Sequence, residues 1–456
     1  MKHKKLFISL TAVLAVLVFF GIFIMMWFVG DSYPDFKRFR SEFEIAGLDD
    51  GATPQGLACY HGDYKDGVDS SGNPIVKKQE YFLTSAYMLD GSPSRIYVNY
   101  MRNVTDESGQ QVQITGYVGY VTMLNIDGTS HTGHVGGIAT NGARLWVTYG
   151  DSILVARSTD KSYSNILEEI VEKAKLNRKY IEGYEDEESE GDAIEELEEP
   201  LSIQFTASFK ANCNAAYLYY YHDPRYNGIS YDRLYVGEFY RKGNYETDKS
   251  HRLTTPEGYK NTSFMYEYRP LETDNEYGLY LLDNNGTNKN ISENVPRIQK
   301  IYSLPEKIQG LAFSGRSGYG TSTGIMVLSQ SYGLANSHLL CFDWNKVNTK
   351  GTKFTAITGH SFAYDGVSLK VGELETPYTD DSLMVYYADK NNSEMYLGDY
   401  SIPSMSEGMC TLTVSGYSTA TQDRVFVLFE SGSKKYGMFT RENIRNIYSF
   451  IPRLDK

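Results

Sequence analysis

Residues 133–150 read GHVGGIATNGARLWVTYG: a polar loop, a glycine with apolar and small residues, and then a second strand-like run. The same beginning recurs along the chain. Its copies are PQGLA at 54–58, VGGIA at 135–139, IQGLA at 308–312, SEGMC at 406–410 and a degenerate NAA at 214–216. β-rich runs that end in polar residues follow them at 82–87, 145–150, 234–240, 325–332 and 425–431. A unit of paired strands repeated five times predicts a β-propeller, whose blades are four-stranded sheets around a channel.

The repeat predicts five blades over residues 47–456, with six as the alternative if 350–400 contains another one. Blade one is expected to use strands near 56, 82, 95 and 117. Glycine at the head of an inner strand fits this arrangement, because backbones approach closely near the axis. Residues 31–46 are interpreted as a linker with a possible ring-closing strand, and the segment 42–47 as the strand that completes the last blade and removes a free edge.

Composition supports an all-β fold and excludes several classes of protein. The chain has 456 residues, 41% apolar and 22% charged, which excludes global disorder. Tyrosine supplies 39 residues, which favours half-buried sheet surfaces. A net charge of −13 leaves no basic surplus for nucleic acid. Four cysteines without a CxxC motif exclude a disulfide scaffold. Cys59 and Cys410 fall at matching positions of the repeat, and the sequence is compatible either with a disulfide between them or with two buried thiols.

The N-terminus predicts a membrane anchor. An uncharged run at 6–30 follows Lys2, Lys4 and Lys5, and as a helix it would be about 37 Å long, enough to span a bilayer. No small-x-small cleavage site follows it. We therefore expect a cytoplasmic tail at 1–5, a single-pass signal anchor at 6–30 in the cell membrane, and an extracytoplasmic body.

One insertion, at about 162–200, interrupts the repeats. Apolar residues at helical spacing predict an amphipathic helix over 164–179. Residues 182–199 then carry eleven acids and no Lys or Arg. Such a run is typical of a solvated loop, and the alternative interpretation is that it binds cations or a basic partner.

Polar residues from distant parts of the chain are expected to converge in this fold. In a propeller, the loop leading into an inner strand and the loop trailing the second strand lie on one face, around the channel mouth. These loops carry Ser85, Ser331, Ser431 and the predicted ligand-binding residues Gln55, Tyr87, His134, Tyr149, Asp151, Asn214, Glu238, Tyr240, Gln309, Gln330, Tyr332, Glu407 and Glu430. Amides, carboxylates and tyrosine rings suit a polyhydroxylated ligand; the alternative is that these side chains bond loop backbone or channel water.

Catalysis and metal binding are weaker interpretations of the same residues. Glu238, Glu407 and Glu430 are the candidate acids of a glycosidase or lyase, which needs two carboxyls about 5 to 9.5 Å apart. Acids with loop carbonyls also suit Ca²⁺, but no EF-hand loop is present. His131 and His134 lack a third clear metal ligand. No cofactor is predicted.

The segments GHVGGIATNGARLWV (133–147), KIQGLAF (307–313), LSQSYG (328–333), SEGMC (406–410) and LFESGSKKY (428–436) resemble a group of secreted or membrane-anchored bacterial β-propeller proteins. The resemblance covers roughly 50–450. It implies the fold and an exported location, and it supplies no catalytic residues.

The sequence favours an extracytoplasmic binding module for a glycan, a cell-wall component or an envelope protein. One alternative is a carbohydrate-active hydrolase or lyase that uses the carboxylates of the channel mouth. The other is a scaffold in an envelope assembly complex that uses the outer surface and the acidic run.

Overall fold

The described part of the chain forms a five-bladed β-propeller. The computed structural model describes residues 33–106, 108–183, 197–211, 213–222, 231–271, 275–281, 296–315, 324–349, 352–353, 361–364, 367–370, 384–414, 422–437, 440 and 442–452. The innermost strand of each blade contacts the innermost strand of the next, and the fifth contacts the first. The predicted all-β class and blade number are confirmed.

Blades one and two are antiparallel sheets ordered from the channel outward. Blade one consists of β2 (Ala52–Val68), β3 (Pro74–Met88), β4 (Arg95–Thr105) and β5 (Gln111–Leu124). Blade two consists of β6 (Ile138–Thr140), β7 (Leu145–Tyr149), β8 (Ser152–Ala156) and β10 (Ala207–Lys210). The four strands expected for blade one are therefore present.

Blades three and four follow the same plan. Blade three consists of β11 (Ala215–Tyr221), β12 (Arg233–Glu238), β13 (Ser263–Tyr268) and β14 (Ile298–Leu304). Blade four consists of β15 (Ile308–Ser314), β16 (Ile325–Gln330), β17 (Ser337–Asp343) and β22 (Tyr396–Ile402). The degenerate repeat at 214–216 thus does begin an inner strand.

The alternative of a sixth blade in 350–400 is wrong for the residues that the structure describes there. The chain leaves blade four after β17 through helix α2 (Trp344–Thr349) and adds strands to blade three before it returns to β22. These strands are β18 (Thr352–Lys353) and β21 (Met384–Tyr387), and β21 pairs in parallel with β14. Two further strands, β19 (Ser361–Tyr364) and β20 (Val367–Lys370), pair only with each other within the described ranges.

Blade five closes the ring with strands from both ends of the chain. It consists of β23 (Ser406–Val414), β24 (Gln422–Phe429), β25 (Asn446–Phe450) and the N-terminal β1 (Arg40–Glu44). β1 pairs antiparallel with β25, and Phe43 packs against Phe82 of blade one. The predicted closing strand is therefore present, a few residues earlier than expected. Pairing β1 with β25 covers an edge that would otherwise be free.

The insertion follows strand β8 of blade two in the sequence, but it packs on blade one. Helix α1 (Ile166–Tyr180) is capped at its N-terminus by Asn165, whose side chain accepts a hydrogen bond from the Glu168 backbone N–H. Asn177 donates to the carbonyl of Tyr120 at 2.8 Å. After the helix, β9 (Ser202–Gln204) pairs in parallel with β5. The predicted helix is confirmed, while most of the acidic run lies outside the described residues.

Hydrophobic clusters fill the spaces between adjacent blades, so the core follows the ring. Inner-strand glycines allow the ring to be narrow. A Cβ on Gly137 would lie 2.1 Å from the backbone N of Leu218, and one on Gly408 would lie 2.4 Å from that of Leu57. Gly56 and Gly310 meet the next blade in the same way. The glycine of the repeat thus permits backbone contact between neighbouring blades.

All four cysteines, Cys59, Cys213, Cys341 and Cys410, are free thiols in the structure. The Cys59 thiol donates to the Thr411 carbonyl at 3.2 Å. The tail at 1–5 and the predicted anchor at 6–30 lie outside the described residues, and none of the helices within the described ranges is long and apolar enough to cross a bilayer.

Candidate functional site

Each inner strand has a β-bulge at the start of the repeat. Gln55, Ala216 and Gln309 are extra residues in the pairing of their strands with the second strand of the blade, and the pairing shifts in the same way between Ser406 and Met409. In blade two, the backbone of Thr148 bonds both Gly136 and Gly137. A bulge changes the direction of the side chains next to it, so the same local backbone conformation orients the side chains beside the channel mouth in each blade.

The loops of blades four and five are fixed by two residues in the left-handed region, Lys307 with φ 62° and Met405 with φ 63°. The Lys307 carbonyl accepts a hydrogen bond from Ser331 N–H, and the Met405 carbonyl accepts one from Glu430 N–H, both at 2.9 Å. Each leading loop is therefore bonded to a trailing loop. This bonding holds Glu407 and Glu430 at the same end of the blade.

Eight side chains from four blades form what we call the carboxyl cluster: Gln55, Tyr87, His134, Gln309, Glu407, Glu430, Lys435 and Tyr436. Gln309 Nε2 donates to Glu407 Oε1 at 3.4 Å, and Lys435 Nζ lies 3.8 Å from Glu430 Oε1. Lys435 also donates to the Tyr87 hydroxyl. The Tyr87 ring lies 4.7 Å from that of His134.

Glu407 and Glu430 form a buried pair of interacting acids. Their exposed fractions are 6% and 8%. Burial, and then repulsion by Glu430, raises the pKa of Glu407 well above its usual value. Burial also raises the pKa of Glu430, to about 7, although Lys435, Tyr436 and Gln55 oppose the shift. Both shifts favour a protonated carboxyl near neutral pH, and a pair with one protonated and one ionised carboxyl offers both a donor and an acceptor.

Lys435 and Tyr436 complete the cluster, and the sequence analysis did not single them out. Lys435 Nζ lies 4.8 Å from the centre of the Tyr436 ring. Burial, and then the charge of Glu430, raises the pKa of Tyr436 to about 12. Their nearness to Glu430 in the same trailing loop was the available signal. A residue this far beyond the end of a strand can contact that end only where the loop turns back, and the sequence pattern does not reveal such a turn.

Seven predicted ligand residues have contacts other than those of the cluster. Tyr149 is exposed beside the His131 ring, and Asp151 forms an ion pair with Lys210. The Tyr240 ring faces the guanidinium of Arg252. Asn214 is exposed to solvent. Gln330 Nε2 donates a hydrogen bond to the Glu306 carbonyl, and the Tyr332 hydroxyl accepts one from Arg241. Glu238 forms a hydrogen bond with His251.

Glu238 is a structural residue of blade three. It is 2% exposed, and its carboxylate accepts hydrogen bonds from His251 Nδ1 at 2.8 Å and from the Phe264 backbone N–H at 2.7 Å. The strand end was predicted correctly, but the partner His251 comes from a later loop. The candidate acid pair is thereby reduced to Glu407 and Glu430.

Glu238→Gln is expected to lower the free energy of unfolding by about 2 kcal/mol, because an NH₂ group would replace Oε2, which lies 3.1 Å from His251 Nδ1, and the hydrogen bonds accepted by Oε1 would lose the charge of the carboxylate. Urea denaturation measures this loss. A variant as stable as the wild type would contradict the structural role.

Within the described ranges, no group of three or more His, Cys, Asp or Glu side chains has the geometry of a metal site. Binding of Ca²⁺ by acids and loop carbonyls stays a prediction.

Comparison with known proteins gave no match, either to a protein-family model or to a curated protein. The resemblance drawn from the motifs stays a prediction, and the propeller fold that it implies is present.

Proposed function

We propose that the chain is a binding module that recognises a polyhydroxylated ligand, a glycan, at the carboxyl cluster. The supporting observation is that six residues predicted from distant repeats lie together with Lys435 and Tyr436. Sugar recognition requires donors and acceptors for neighbouring hydroxyls and a ring for the apolar face of the sugar. Gln309, the acid pair and Tyr87 offer these groups.

The proton held by the acid pair favours recognition of hydroxyl groups. A sugar hydroxyl both donates and accepts, so it pairs best with a site that does both. A protonated Glu407 can donate while the neighbouring Gln309 amide donates or accepts. The positive charge of Lys435 would also attract the carboxylate of an acidic sugar.

An extracytoplasmic location remains part of this proposal and depends on the apolar run at 6–30. A wall component or an envelope protein would then be within reach of the cluster. The scaffold alternative depends on the acidic run at 182–199, most of which lies outside the described residues.

A glycan array with the purified full-length chain tests the proposal. We expect hits whose affinity falls about tenfold in Gln309→Ala, because a hydrogen bond within the cluster is removed. The matched control is Gln330→Ala, the same change on the neighbouring strand, where the amide bonds the Glu306 carbonyl instead. An array without hits, or equal losses in both variants, would contradict the proposal.

Carbohydrate hydrolysis is the second candidate, supported by the Glu430 pKa of about 7, a value suited to a general acid near neutral pH. Turnover assays on the array hits separate the two candidates. Binding without product supports the binding module. Product formation that is abolished by Glu430→Gln would show that the chain is an enzyme.

A further inference from the structure

A cavity of about 480 Å³ opens between the outer strands of blades four and five. It lies toward the opposite end of blade five from the carboxyl cluster, because Arg424 is near the beginning of β24 and Glu430 follows its end. The volume is within the range of small-molecule sites. The cavity is lined by Arg38, Phe39, Arg40, Tyr400, Arg424, Ser449, Phe450 and Ile451.

One wall of the cavity is aromatic. The rings of Phe39 and Phe450 stack with centres 4.5 Å apart, and Tyr400 contacts Phe450 edge-on at 5.1 Å. Phe39 comes from the segment before β1, Phe450 from the end of β25, and Tyr400 from β22. Three separate parts of the chain thus build a rigid apolar surface that suits a ring or a hydrocarbon group.

The other wall carries more positive than negative charge. Arg424 Nη1 lies 3.1 Å from Glu42 Oε1, and Arg40 Nε lies 3.6 Å from Glu42 Oε2. The Glu42 side chain is only 1% exposed, so it holds both guanidiniums from behind. Two guanidiniums thus share one carboxylate at the cavity. A positive surplus in a chain of net charge −13 is a local feature.

Both anchored guanidiniums keep donors for a ligand. Arg424 uses Nη1 for Glu42 and for Gln113, and Arg40 uses Nε. Among the residues that the structure describes, Nε and Nη2 of Arg424 and both Nη atoms of Arg40 have no acceptor. Guanidinium groups held in place by a buried carboxylate are well suited to bind the oxygens of a phosphate in pairs.

We propose that this cavity binds an organic phosphate, with the phosphate on Arg40 and Arg424 and its ring or hydrocarbon portion against Phe39, Tyr400 and Phe450. An anionic phosphate matches the surplus of two guanidiniums over one carboxylate. Soluble phosphomonoesters and the head groups of anionic phospholipids share this chemistry. The site is distinct from the carboxyl cluster and does not depend on the function proposed there.

Isothermal titration calorimetry of the full-length chain with phenyl phosphate, inorganic phosphate and phenol tests the soluble source. We expect phenyl phosphate to bind more tightly than either fragment, and Arg40→Gln to weaken it about tenfold, because a charged hydrogen bond is lost. Arg40 has a 59% exposed side chain, so its replacement should leave the fold intact. The matched control is Arg445→Gln, an arginine of the same blade that pairs with Glu44 and Asp49 outside the cavity.

Co-sedimentation with phosphatidylglycerol–phosphatidylcholine vesicles, compared with vesicles of phosphatidylcholine alone, tests the lipid source. Binding that requires phosphatidylglycerol and Arg40 supports the proposal with a phospholipid as ligand. Arg40-dependent binding of phenyl phosphate supports it with a soluble ligand. The proposal is overturned if phenyl phosphate and anionic vesicles both fail to bind, or if Arg40→Gln binds as well as Arg445→Gln.

Discussion

Gly408→Ala is expected to lower the free energy of unfolding by about 3 kcal/mol, the upper part of the range for overpacked sites. The new Cβ would lie 2.4 Å from the Leu57 backbone N, and the Cα and carbonyl C of Gly56 are also closer than 3 Å. These atoms belong to the inner strand of blade one. Backbone cannot rotate away as a side chain can, so blades one and five must separate at the closure of the ring.

Urea denaturation of Gly408→Ala and wild type, followed by circular dichroism, measures this loss. The matched control is Gly437→Ala, where the nearest atom to the new Cβ is 3.8 Å away. The control should remain close to wild type, because its added methyl group has room. Equal stability of the two variants would mean that the inner strands of blades five and one are farther apart than the structure shows.

The repeat predicted the fold because the steric requirement that produces it is local and is the same in each blade. An inner strand needs a residue without a side chain where the next blade crosses, and this need appears in the sequence as Gly56, Gly137, Gly310 and Gly408. Closure was predicted for a related reason, since a blade short of strands at one end of the chain requires a strand from the other end. Neither inference needed the register of any pair of strands.

The membership of the site could be predicted only in part, because side-chain direction depends on register and on loop path. Gln55 and Gln309 enter the cluster through bulges that alternation of apolar and polar residues does not reveal. Glu238 occupies the expected strand end, yet a histidine thirteen residues later in the sequence binds it. Lys435 reaches Glu430 only because the trailing loop turns after the strand, where the Ser433 N–H bonds the Glu430 carbonyl.

Glu430→Gln is expected to make the protein more stable near neutral pH and to flatten the dependence of stability on pH. The folded-state pKa of Glu430, about 7, is above the ordinary value of 4.5. Between these two values, the folded state keeps a proton that the unfolded state has released. The contribution of Glu430 to stability therefore falls as the pH rises from 4.5 to 7 and levels off above 7.

The difference between wild type and Glu430→Gln reports this group together with the repulsion that it exerts on Glu407. Its expected size is about 3 kcal/mol above pH 7, decreasing toward zero near pH 4.5. Glutamine stays neutral at every pH, so it avoids the cost of a buried charge. Burial also raises the pKa of Glu80 to about 7 and the pKa of Glu407, so some pH dependence should remain in the variant, and a further Glu80→Gln change should remove part of it. Urea midpoints across this pH range measure both steps. Parallel curves for wild type and Glu430→Gln would show that Glu430 is not desolvated at the channel mouth, and they would remove the physical basis for a proton held by the acid pair.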